Sequence, residues 1–504
     1  MAVSTVGEHA QAGATDQAGE RPARPAVVTW LALGAITALA VILRAVFVGD
    51  QSLGYEEVFT AQIVNQSSVA AVWHGVRATE STPPLYYLLS WLWVKLSASH
   101  SPASLRMISL AAGSLTVPVS FLALRRFVGA RLALVVAWLC AISPVLVSYS
   151  IYARSYALLV LAGALTVWAL GALLERPSWR RWLLWAVSAA LALWTHYFAA
   201  FLLVGEAGVL FVMLPQARIR LALAIAGVAA ATSPLWSVFL AQSGDSERTA
   251  YIAAQSLSSR LEGVVRQFAM GTNVPTAWLE GAGIAIVVVA TTFAAVATRR
   301  ERSSRVLGSL AIVAAGLPIL SALTGIDDHL LARNLLGVWI CVAPFAACGL
   351  VRLRGVPLLA YSVICVVVVI AVQSDWRYQA STDWRGASAH LVADARGEPV
   401  AVEPGLELAV AGLYMHRGAL GAPLNTSDLW VMVQPERGAH ERALAPVANP
   451  PLMQLFGSQF HAVGEIDYHG FRLIHLHADT PTLVRPAPPD NGNPQAPLTY
   501  VLAP

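Results

Sequence analysis

SLGYEEVFTAQIVNQSSVAAVWHGVRATESTPPLYY, residues 52–87, is the stretch that decides how this chain folds and acts. It follows the first apolar segment of membrane length. It carries three carboxylates, Glu56, Glu57 and Glu80, and ends in Pro-Pro-Leu-Tyr-Tyr. Ionisable side chains are costly to keep near a bilayer and usually mark functional sites. This loop is therefore the first candidate for an active site.

The composition indicates an integral membrane protein, because 57% of the 504 residues are hydrophobic and only 12% are charged. A helix needs about 20 apolar residues to cross the roughly 30 Å hydrocarbon layer. We therefore predict a polytopic α-helical membrane domain over residues 26–373, after a disordered cytoplasmic N-terminus at residues 1–25. The eleven predicted spans are 26–48, 105–124, 132–149, 156–174, 181–195, 197–214, 220–241, 281–298, 306–325, 330–350 and 356–373.

Arginines in alternate short loops predict the orientation. Positively charged loops remain on the cytoplasmic side, so the N-terminus is expected inside, and the loop 49–104 and everything after residue 373 outside. The arginines are Arg21, Arg24, Arg125, Arg126, Arg131, Arg176, Arg180, Arg181, Arg218, Arg220, Arg299, Arg300, Arg302, Arg305, Arg352 and Arg354.

Residues 83–97 test this topology. The segment PPLYYLLSWLWVKLS is apolar, but 15 helical residues span only about 22 Å. We interpret it as a helix at the outer interface, where Trp91, Trp93 and Lys95 fit. The alternative is a short tilted span.

The composition changes after the last predicted span. Segments with helical periodicity alternate with short apolar runs such as PVAVEP, LWVMVQ and FRLIHLHA. This alternation predicts a small extracytoplasmic α/β domain at residues 380–478. The Pro-rich tail 479–504 is expected to be irregular.

Candidate reactive residues gather on the outer side of this topology. A carboxylate that faces arginines at a lipid surface suits the transfer of a sugar from a lipid-linked phosphate to a hydroxyl. The acceptor hydroxyl needs a base, and the leaving phosphate needs a fixed cation. The candidates are Glu56, Glu57, Glu80, Arg154, His196 and Arg333.

Five short motifs, in order, resemble the GT-C superfamily of polytopic glycosyltransferases. The branch is that of the protein O-mannosyltransferases and the lipid A aminoarabinose transferases. The matching motifs are GYEEVFTA, TESTPPLYYLL, YSIYARSYALL, THYF at 195–198 and TDWRGA. The resemblance covers about residues 26–420. It implies a GT-C fold and a sugar donor linked to polyprenyl phosphate.

The resemblance also implies roles for individual residues. Glu56 takes the place of the catalytic carboxylate, and Glu57, Glu80 and His196 are supporting or acceptor-side residues. The residues expected to bind the donor phosphate are Arg154, Arg333, Tyr152 and Tyr156.

Several departures from the family pattern leave the chemistry open. Glu56 and Glu80 stand where the family usually has Asp. Ser81-Thr82 stand where His is common, and Asn334 where Tyr is frequent. These changes allow an altered acceptor or an inactive protein. The sugar and the acceptor are not identified by the sequence.

Each candidate also has a structural interpretation. The two adjacent acids suit a helix N-terminus, and Glu57 is expected to pair with an arginine. Glu80 could be a solvated loop acid, Arg154 could reach lipid head groups, and His196 could satisfy a backbone carbonyl. The cluster Asp327-Asp328-His329 could bind a divalent metal, but the favoured interpretation is that it is solvated. No metal or other cofactor is therefore expected.

The leading hypothesis is a glycosyltransferase in the cytoplasmic membrane that acts at its outer face. Its partners would be the polyprenyl-phosphate sugar, membrane lipid and a glycan, lipid or protein acceptor, with no nucleic acid. One alternative is a transporter or flippase of lipid-linked sugars, for which inverted repeats are expected and none is found. The other is a non-catalytic glycan-binding scaffold.

Overall fold

The computed structural model describes most of the chain, and everything below concerns those residues. The predicted disordered N-terminus, apart from its last three residues, lies outside the described residues, as do Asp327 and most of the Pro-rich tail. The described residues are 23–243, 252, 255–325, 328–375, 377–379, 382–395, 397–403, 408–434, 459–485 and 500–503.

Helices make up the region up to residue 374. The first eleven are α1 Ala23–Ala45, α2 Tyr55–Val64, α3 Val69–Thr79, α4 Leu85–Ser97, α5 Pro102–Ile142, α6 Pro144–Ser150, α7 Tyr156–Glu175, α8 Trp179–Thr195, α9 Ala199–Met213, α10 Arg218–Thr232 and α11 Leu235–Ser243. The next five are α12 Leu257–Met270, α13 Ala277–Ala297, α14 Arg302–Thr324, α15 Trp339–Arg352 and α16 Val356–Ser374. Short 3₁₀ helices precede α10 and α15, at Pro215–Ala217 and Ala332–Val338.

The predicted count of eleven spans is not confirmed. Among the described residues, seven helices are long and apolar enough to cross a membrane. An eighth is added if the bent pair Ala199–Met213 and Pro215–Thr232 is one span. Each predicted span nevertheless contains a helix. The difference arises partly because α8, α9 and α10 have only 17, 15 and 15 residues.

Helix α5 covers most of two predicted spans, which are separated by a break in its backbone. It contains 41 residues, about 60 Å at 1.5 Å per residue, which is twice the hydrocarbon thickness. Gly129 interrupts it with φ 80° and ψ 162°, a backbone conformation that is nearly exclusive to glycine. The predicted spans 105–124 and 132–149 fall largely on the two sides of this break.

Small residues allow the helices of the membrane domain to pack closely, as is common in membrane proteins. Gly349 on α15 lies against α13, where an added Cβ would collide with the backbone carbonyl of Ala290.

Helix α4, at 13 residues and about 20 Å, is too short to cross the bilayer upright. It buries Tyr86 and Tyr87 against the neighbouring helices.

The C-terminal part is a five-stranded sheet covered by two helices. These helices are α17 Trp384–Asp394 and α18 Leu408–Met415. The sheet order is β3-β4-β2-β1-β5, in which β1 and β2 are parallel and the other pairs antiparallel. The strands are β1 Val400–Glu403, β2 Leu424–Val433, β3 His461–Tyr468, β4 Phe471–Val484 and β5 Tyr500–Leu502.

The expectation of an irregular tail is wrong for two segments. Strand β4 continues to Val484, and β5 pairs antiparallel with β1 through Val400↔Leu502. The short apolar run of β5 carries no periodicity of its own. Its conformation comes from the edge of a sheet that is distant in sequence.

The outer domain packs directly on the loop that carries the acids. Leu53 and Val58 share an apolar core with Trp384 and Phe471. The Leu53 N–H also donates to the Tyr414 hydroxyl at 2.7 Å. The start of α2 is therefore fixed from both the membrane domain and the outer domain.

Candidate active site

Glu56 is the centre of a charge cluster at the start of α2. Its Oε1 lies 2.7 Å from Arg333 Nη1, and its Oε2 lies 3.7 Å from Arg154 Nε. The Tyr152 hydroxyl donates to Oε2 at 3.3 Å. The side chain is 24% exposed, so this carboxylate is held in place and still open to a ligand.

The arginines control the ionisation of Glu56. Burial disfavours its charged form, but the attraction of Arg333 and Arg154 and the hydrogen bonds from Arg333 and Tyr152 outweigh burial. The pKa of Glu56 is therefore lowered. The carboxylate is ionised near neutral pH, as a base must be before it accepts a proton.

Glu57 forms a buried ion pair with an arginine, as the sequence predicted. Its two oxygens accept from Arg106 Nε at 2.8 Å and Nη2 at 2.7 Å. It also accepts the backbone N–H of Ala153 at 2.7 Å and that of Gly54 at 3.0 Å. Both side chains are almost fully buried. Glu57 therefore ties α2 to α5 and to the segment after α6.

Arg106 was missed in the sequence. Besides Glu57, it donates to the carbonyls of Val48, Gln51 and Ser52. The available signal was an arginine in the apolar run SLRMISL at the start of a span. Such a residue needs an internal partner.

Glu80 holds Arg154, and its interpretation as a solvated loop acid is wrong. Glu80 is 2% exposed and lies 2.8 Å from Arg154 Nη1. The acid follows directly after α3, so the end of that helix brings it to the arginine. Burial and the attraction of Glu80, Tyr87 and Glu56 act on Arg154 in opposite directions, and the net pKa of Arg154 is raised.

The two tyrosines contact the charge cluster around Glu56. The guanidinium of Arg333 lies over the ring of Tyr156 at 5.8 Å, a distance typical of a cation–π contact. Tyr152 contacts Glu56 directly, as given above. The structure thus brings Tyr152, Tyr156, Arg154 and Arg333 together; their role in phosphate binding stays a prediction.

His196 lies buried at the C-terminus of α8, 3% exposed. Its Nδ1 accepts the backbone N–H of Phe198 at 3.2 Å, so the proton of the neutral ring is on Nε2. Burial, and then Arg154, Arg333 and His329, lower the pKa of His196 to about 3. Nε2 has no hydrogen-bond partner within the described part of the chain. The ring thus offers a neutral donor, and it does not bond a backbone carbonyl as the alternative expected.

A large, mostly apolar cavity of about 840 Å³ opens from this cluster. Glu56, Glu80, Arg154, His196 and Arg333 line its polar end. The rest of its wall is largely aromatic and aliphatic. These residues include Phe59, Leu193, Phe198, Phe201, Leu235, Trp236, Phe239 and Ile252.

A second cavity of about 500 Å³ also borders the Glu56 carboxylate. It shares Tyr55, Glu56 and Arg333 with the apolar cavity. We call it the polar cavity, because its wall is rich in hydroxyl and amide groups. They belong to Gln51, Ser148, Tyr149, Tyr152, Thr272, Asn273, Gln373, Thr382 and Gln434. Thr382, Gln434 and also Trp384 come from the outer domain.

Asp328, from the cluster named in the sequence, forms an ion pair. Asp328 Oδ1 lies 2.5 Å from Arg260 Nη1, and the side chain of Asp328 is 19% exposed. The hydrogen bond from Arg260 is the main reason that the pKa of Asp328 is lowered. The interpretation as a solvated acid is therefore wrong for Asp328.

Part of the chain matches a known family by sequence. Residues 81–241 match the family described as dolichyl-phosphate-mannose-protein mannosyltransferase. The matched segment contains Arg154 and His196 and begins directly after Glu80. No curated protein matches the chain significantly.

Several solved structures are similar to this chain. ArnT from Cupriavidus metallidurans in the apo state has a TM-score of 0.56 and 13% identity, over 89% of this chain and 98% of ArnT. ArnT bound to undecaprenyl phosphate has a TM-score of 0.54 and 12% identity, over 90% and 98%. AglB from Archaeoglobus fulgidus, in complex with an inhibitory peptide and a dolichol-phosphate, has a TM-score of 0.45 and 15% identity, over 73% and 58%.

The chain therefore has the fold of ArnT, and the predicted fold class is confirmed. The expected resemblance to membrane glycosyltransferases of the GT-C type is confirmed as well, by the family match and by the fold. The structure is that of a multi-span membrane protein with a small C-terminal sheet domain.

Proposed function

We propose that this protein is a membrane glycosyltransferase that moves a sugar from a polyprenyl-phosphate donor to a hydroxyl acceptor. The observation that carries this proposal is the position of Glu56, which is held by two arginines between an apolar and a polar cavity. The family match and the fold support it. They give no support to a transporter or a scaffold.

The apolar cavity suits the lipid-linked donor. Its aromatic and aliphatic wall can cover a prenyl chain, while Arg154 and Arg333 at its polar end face the phosphate. Arginine suits this task because its planar guanidinium binds phosphate with two hydrogen bonds. The undecaprenyl phosphate bound to ArnT, which has the same fold, supports this assignment.

The polar cavity suits the acceptor. The acceptor hydroxyl would give its proton to the Glu56 carboxylate, and its oxygen would bond to the anomeric carbon of the sugar. The bond from that carbon to the phosphate oxygen breaks, and its electron pair leaves with the polyprenyl phosphate. The two arginines stabilise the charge that develops there.

Donor binding would also prepare the base. In the free protein Arg333 and Arg154 lower the pKa of Glu56, which keeps it ionised but makes it a weak base. A bound phosphate shares these cations and weakens their attraction to Glu56. The carboxylate then regains basicity when the donor is in place.

The neighbouring residues would have supporting roles. Glu80 positions Arg154 through a buried ion pair, and Nε2 of His196 can donate a hydrogen bond to the sugar or the phosphate. Glu57 would support the loop without touching the substrates. The proposed reaction uses no cofactor.

The proposed location is the cytoplasmic membrane, with the N-terminus inside and the outer domain on the extracytoplasmic side. The alternating arginine loops support this orientation. In it, the loop 49–104 that carries Glu56 and the outer domain lie at the outer face. The acceptor would accordingly be a glycan, lipid or protein of the cell envelope.

Transfer in proteoliposomes tests the proposal. Purified protein would be given a panel of undecaprenyl-phosphate sugars with radiolabelled sugar, together with envelope lipid, glycan and protein fractions. We expect label to move from the lipid to one acceptor fraction, and the exposed-site variant Glu262→Gln to behave as wild type. Transbilayer movement of the donor without transfer would instead support the transporter alternative.

A further inference from the structure

The outer sheet gathers imidazole and carboxylate groups on one face, away from both cavities. His475 and His477 are two residues apart on β4, so their side chains point to the same face. The register of β2 and β4 pairs Asp428 with His477 and Trp430 with His475. Glu398 lies just before β1, which is the other neighbour of β2. Three separate chain segments therefore meet at one spot.

We propose that Glu398, Asp428 and His475 form a binding site for a divalent transition metal of the zinc type, with His477 as an additional nearby ligand. One ligand atom from each of the three lies within 4.8 Å of the others. His475 Nε2 is 3.1 Å from Asp428 Oδ1 and 3.9 Å from Glu398 Oε2. His477 Nδ1 lies 2.8 Å from Asp428 Oδ1.

These separations fit a metal centre. Zinc bonds to imidazole nitrogen and carboxylate oxygen at about 2.0–2.2 Å, which places tetrahedral ligand atoms about 3.3–3.6 Å apart. Only small side-chain movements would bring the present atoms to that spacing. A mixed set of imidazole and carboxylate ligands also suits zinc better than calcium or magnesium, which prefer oxygen alone.

The surroundings hold two of the ligands in position. Trp430 Nε1 donates to Glu398 Oε2 at 2.7 Å. The same indole is stacked on the His475 ring, with centroids 4.6 Å apart and planes 4° apart. Hydrogen bonds of this kind orient metal ligands in known sites.

A β-bulge aims the third ligand. The pairing of β2 with β4 shifts between Thr426 and Asp428. Thr426 Oγ1 accepts the Asp428 N–H at 3.2 Å and donates to the Asp428 carbonyl at 2.8 Å. Bulges often redirect a side chain at a functional position.

The simpler alternative is a set of His–Asp hydrogen bonds without metal. That alternative accounts for His475 and His477 on Asp428, but it leaves Glu398 close to a second carboxylate. A metal ion would instead bind one ligand atom from each of Glu398, Asp428 and His475.

The site would be structural. Gln434 lines the polar cavity and lies six residues beyond Asp428, about 20 Å along an extended strand. A metal there joins the segment before β1 to β2 and β4. It would stiffen the sheet whose other end forms the wall of the acceptor cavity.

Zinc titration of the full-length protein tests the site without any activity assay. Protein made without a histidine tag would be stripped with EDTA and titrated with ZnCl₂ by calorimetry. We expect one equivalent per chain in wild type, and at least about tenfold weaker binding in His475→Gln and Asp428→Asn. His390→Gln, an exposed histidine of the same domain, is the matched control and should bind as wild type.

Two further measurements keep the test independent of folding defects. Trp430→Phe keeps an aromatic ring but removes the indole N–H, and we expect affinity to fall about tenfold with an unchanged elution volume. Wild-type protein loaded with Co²⁺ should show visible d–d absorption. Absence of stoichiometric binding in wild type, or equal losses in His475→Gln and His390→Gln, would overturn the proposal.

Discussion

At the scale of the residue, neighbouring acids differ because their partners differ. Glu56 lines two cavities and pairs with Arg333, which also lines both. Glu57, the next residue, is sealed by Arg106 and by two backbone amides. Successive helical residues point about 100° apart, so one acid can serve a ligand and the other the fold.

Replacing Glu56 with glutamine should abolish most of the transfer. The change keeps the size of the side chain but removes the base, and loss of a general base typically lowers the rate by about 10²–10⁴-fold. The measurement is kcat in the proteoliposome assay. Near-normal turnover of Glu56→Gln would reject its assignment as the base.

Glu57→Gln is the matched control for Glu56→Gln, because it makes the same change at the adjacent residue. It leaves the buried Arg106 without its carboxylate, and breaking a buried ion pair costs about 3–5 kcal/mol. We expect a clear fall in the unfolding temperature in detergent, with turnover of the folded fraction near normal. If Glu57→Gln lost turnover while keeping its stability, the two roles would have to be exchanged.

The pH profile of kcat/KM should be flat between about pH 5 and 8. Glu56 acts in its ionised form, and its lowered pKa moves the acidic limb below the ordinary glutamate value of about 4.3. His196, whose pKa is lowered to about 3, stays neutral over this range. Removal of one cation in Arg333→Gln should shift the acidic limb upward.

A limb near pH 6.5 in the wild-type protein would contradict this assignment. Such a value is that of an unperturbed histidine. The profile should be measured with saturating and with limiting acceptor, since only kcat/KM reports the free enzyme.

At the scale of the element, helices and motif residues could be predicted from the sequence, because they depend on a local pattern of residues. Apolar length predicted a helix in every predicted span, and the ordered motifs predicted Glu56 and Arg154 as site residues. The outer position of Arg333 in the predicted topology marked it as the third. The partner of Glu57 could not be predicted, because Arg106 is 49 residues away and only packing of α5 brings it there.

Contacts between residues that are distant in sequence could not be predicted from the sequence either. Strand β5 forms only on the edge of β1, and the polar cavity needs Trp384 and Gln434 from the outer domain. The proposed metal ligands come from three segments that sheet register alone aligns. His475 and His477 form a local His-x-His pair, but the positions of Glu398 and Asp428 relative to it follow only from the sheet register.

The break in α5 provides a test at this scale. Gly129→Ala should destabilise the protein by about 1–3 kcal/mol, because φ 80° and ψ 162° are unfavourable for any residue with a Cβ. The surroundings are open, with no atom within 4 Å of the added Cβ, so the effect would come from the backbone alone. Thermal unfolding in detergent measures it.

Gly34→Ala is the control for this substitution. Gly34 lies within α1, and its added Cβ also meets no atom within 4 Å. Alanine is about 1 kcal/mol better than glycine inside a helix, so stability should stay equal or rise. If both variants behaved alike, the backbone at Gly129 would be ordinary helix.

At the scale of the whole molecule, the site lies where two units meet. The helices supply the arginines and the apolar cavity, and the outer sheet domain closes the polar cavity and packs on the loop before α2. This arrangement places Glu56 at the border of both cavities. It requires the outer domain and the loop 49–104 to lie on the same side of the membrane.

Cysteine labelling in intact cells tests that requirement. In a cysteine-free variant, Ala462→Cys on β3 and Arg300→Cys after α13 place single thiols at exposed positions of the outer domain and of an arginine loop. A membrane-impermeant maleimide should label Ala462→Cys in intact cells and Arg300→Cys only after permeabilisation, because the arginine loops stay inside. Equal labelling of both in intact cells would place them on one side. The outer domain could not then meet acceptors outside the cell while the arginine loops remain in the cytoplasm.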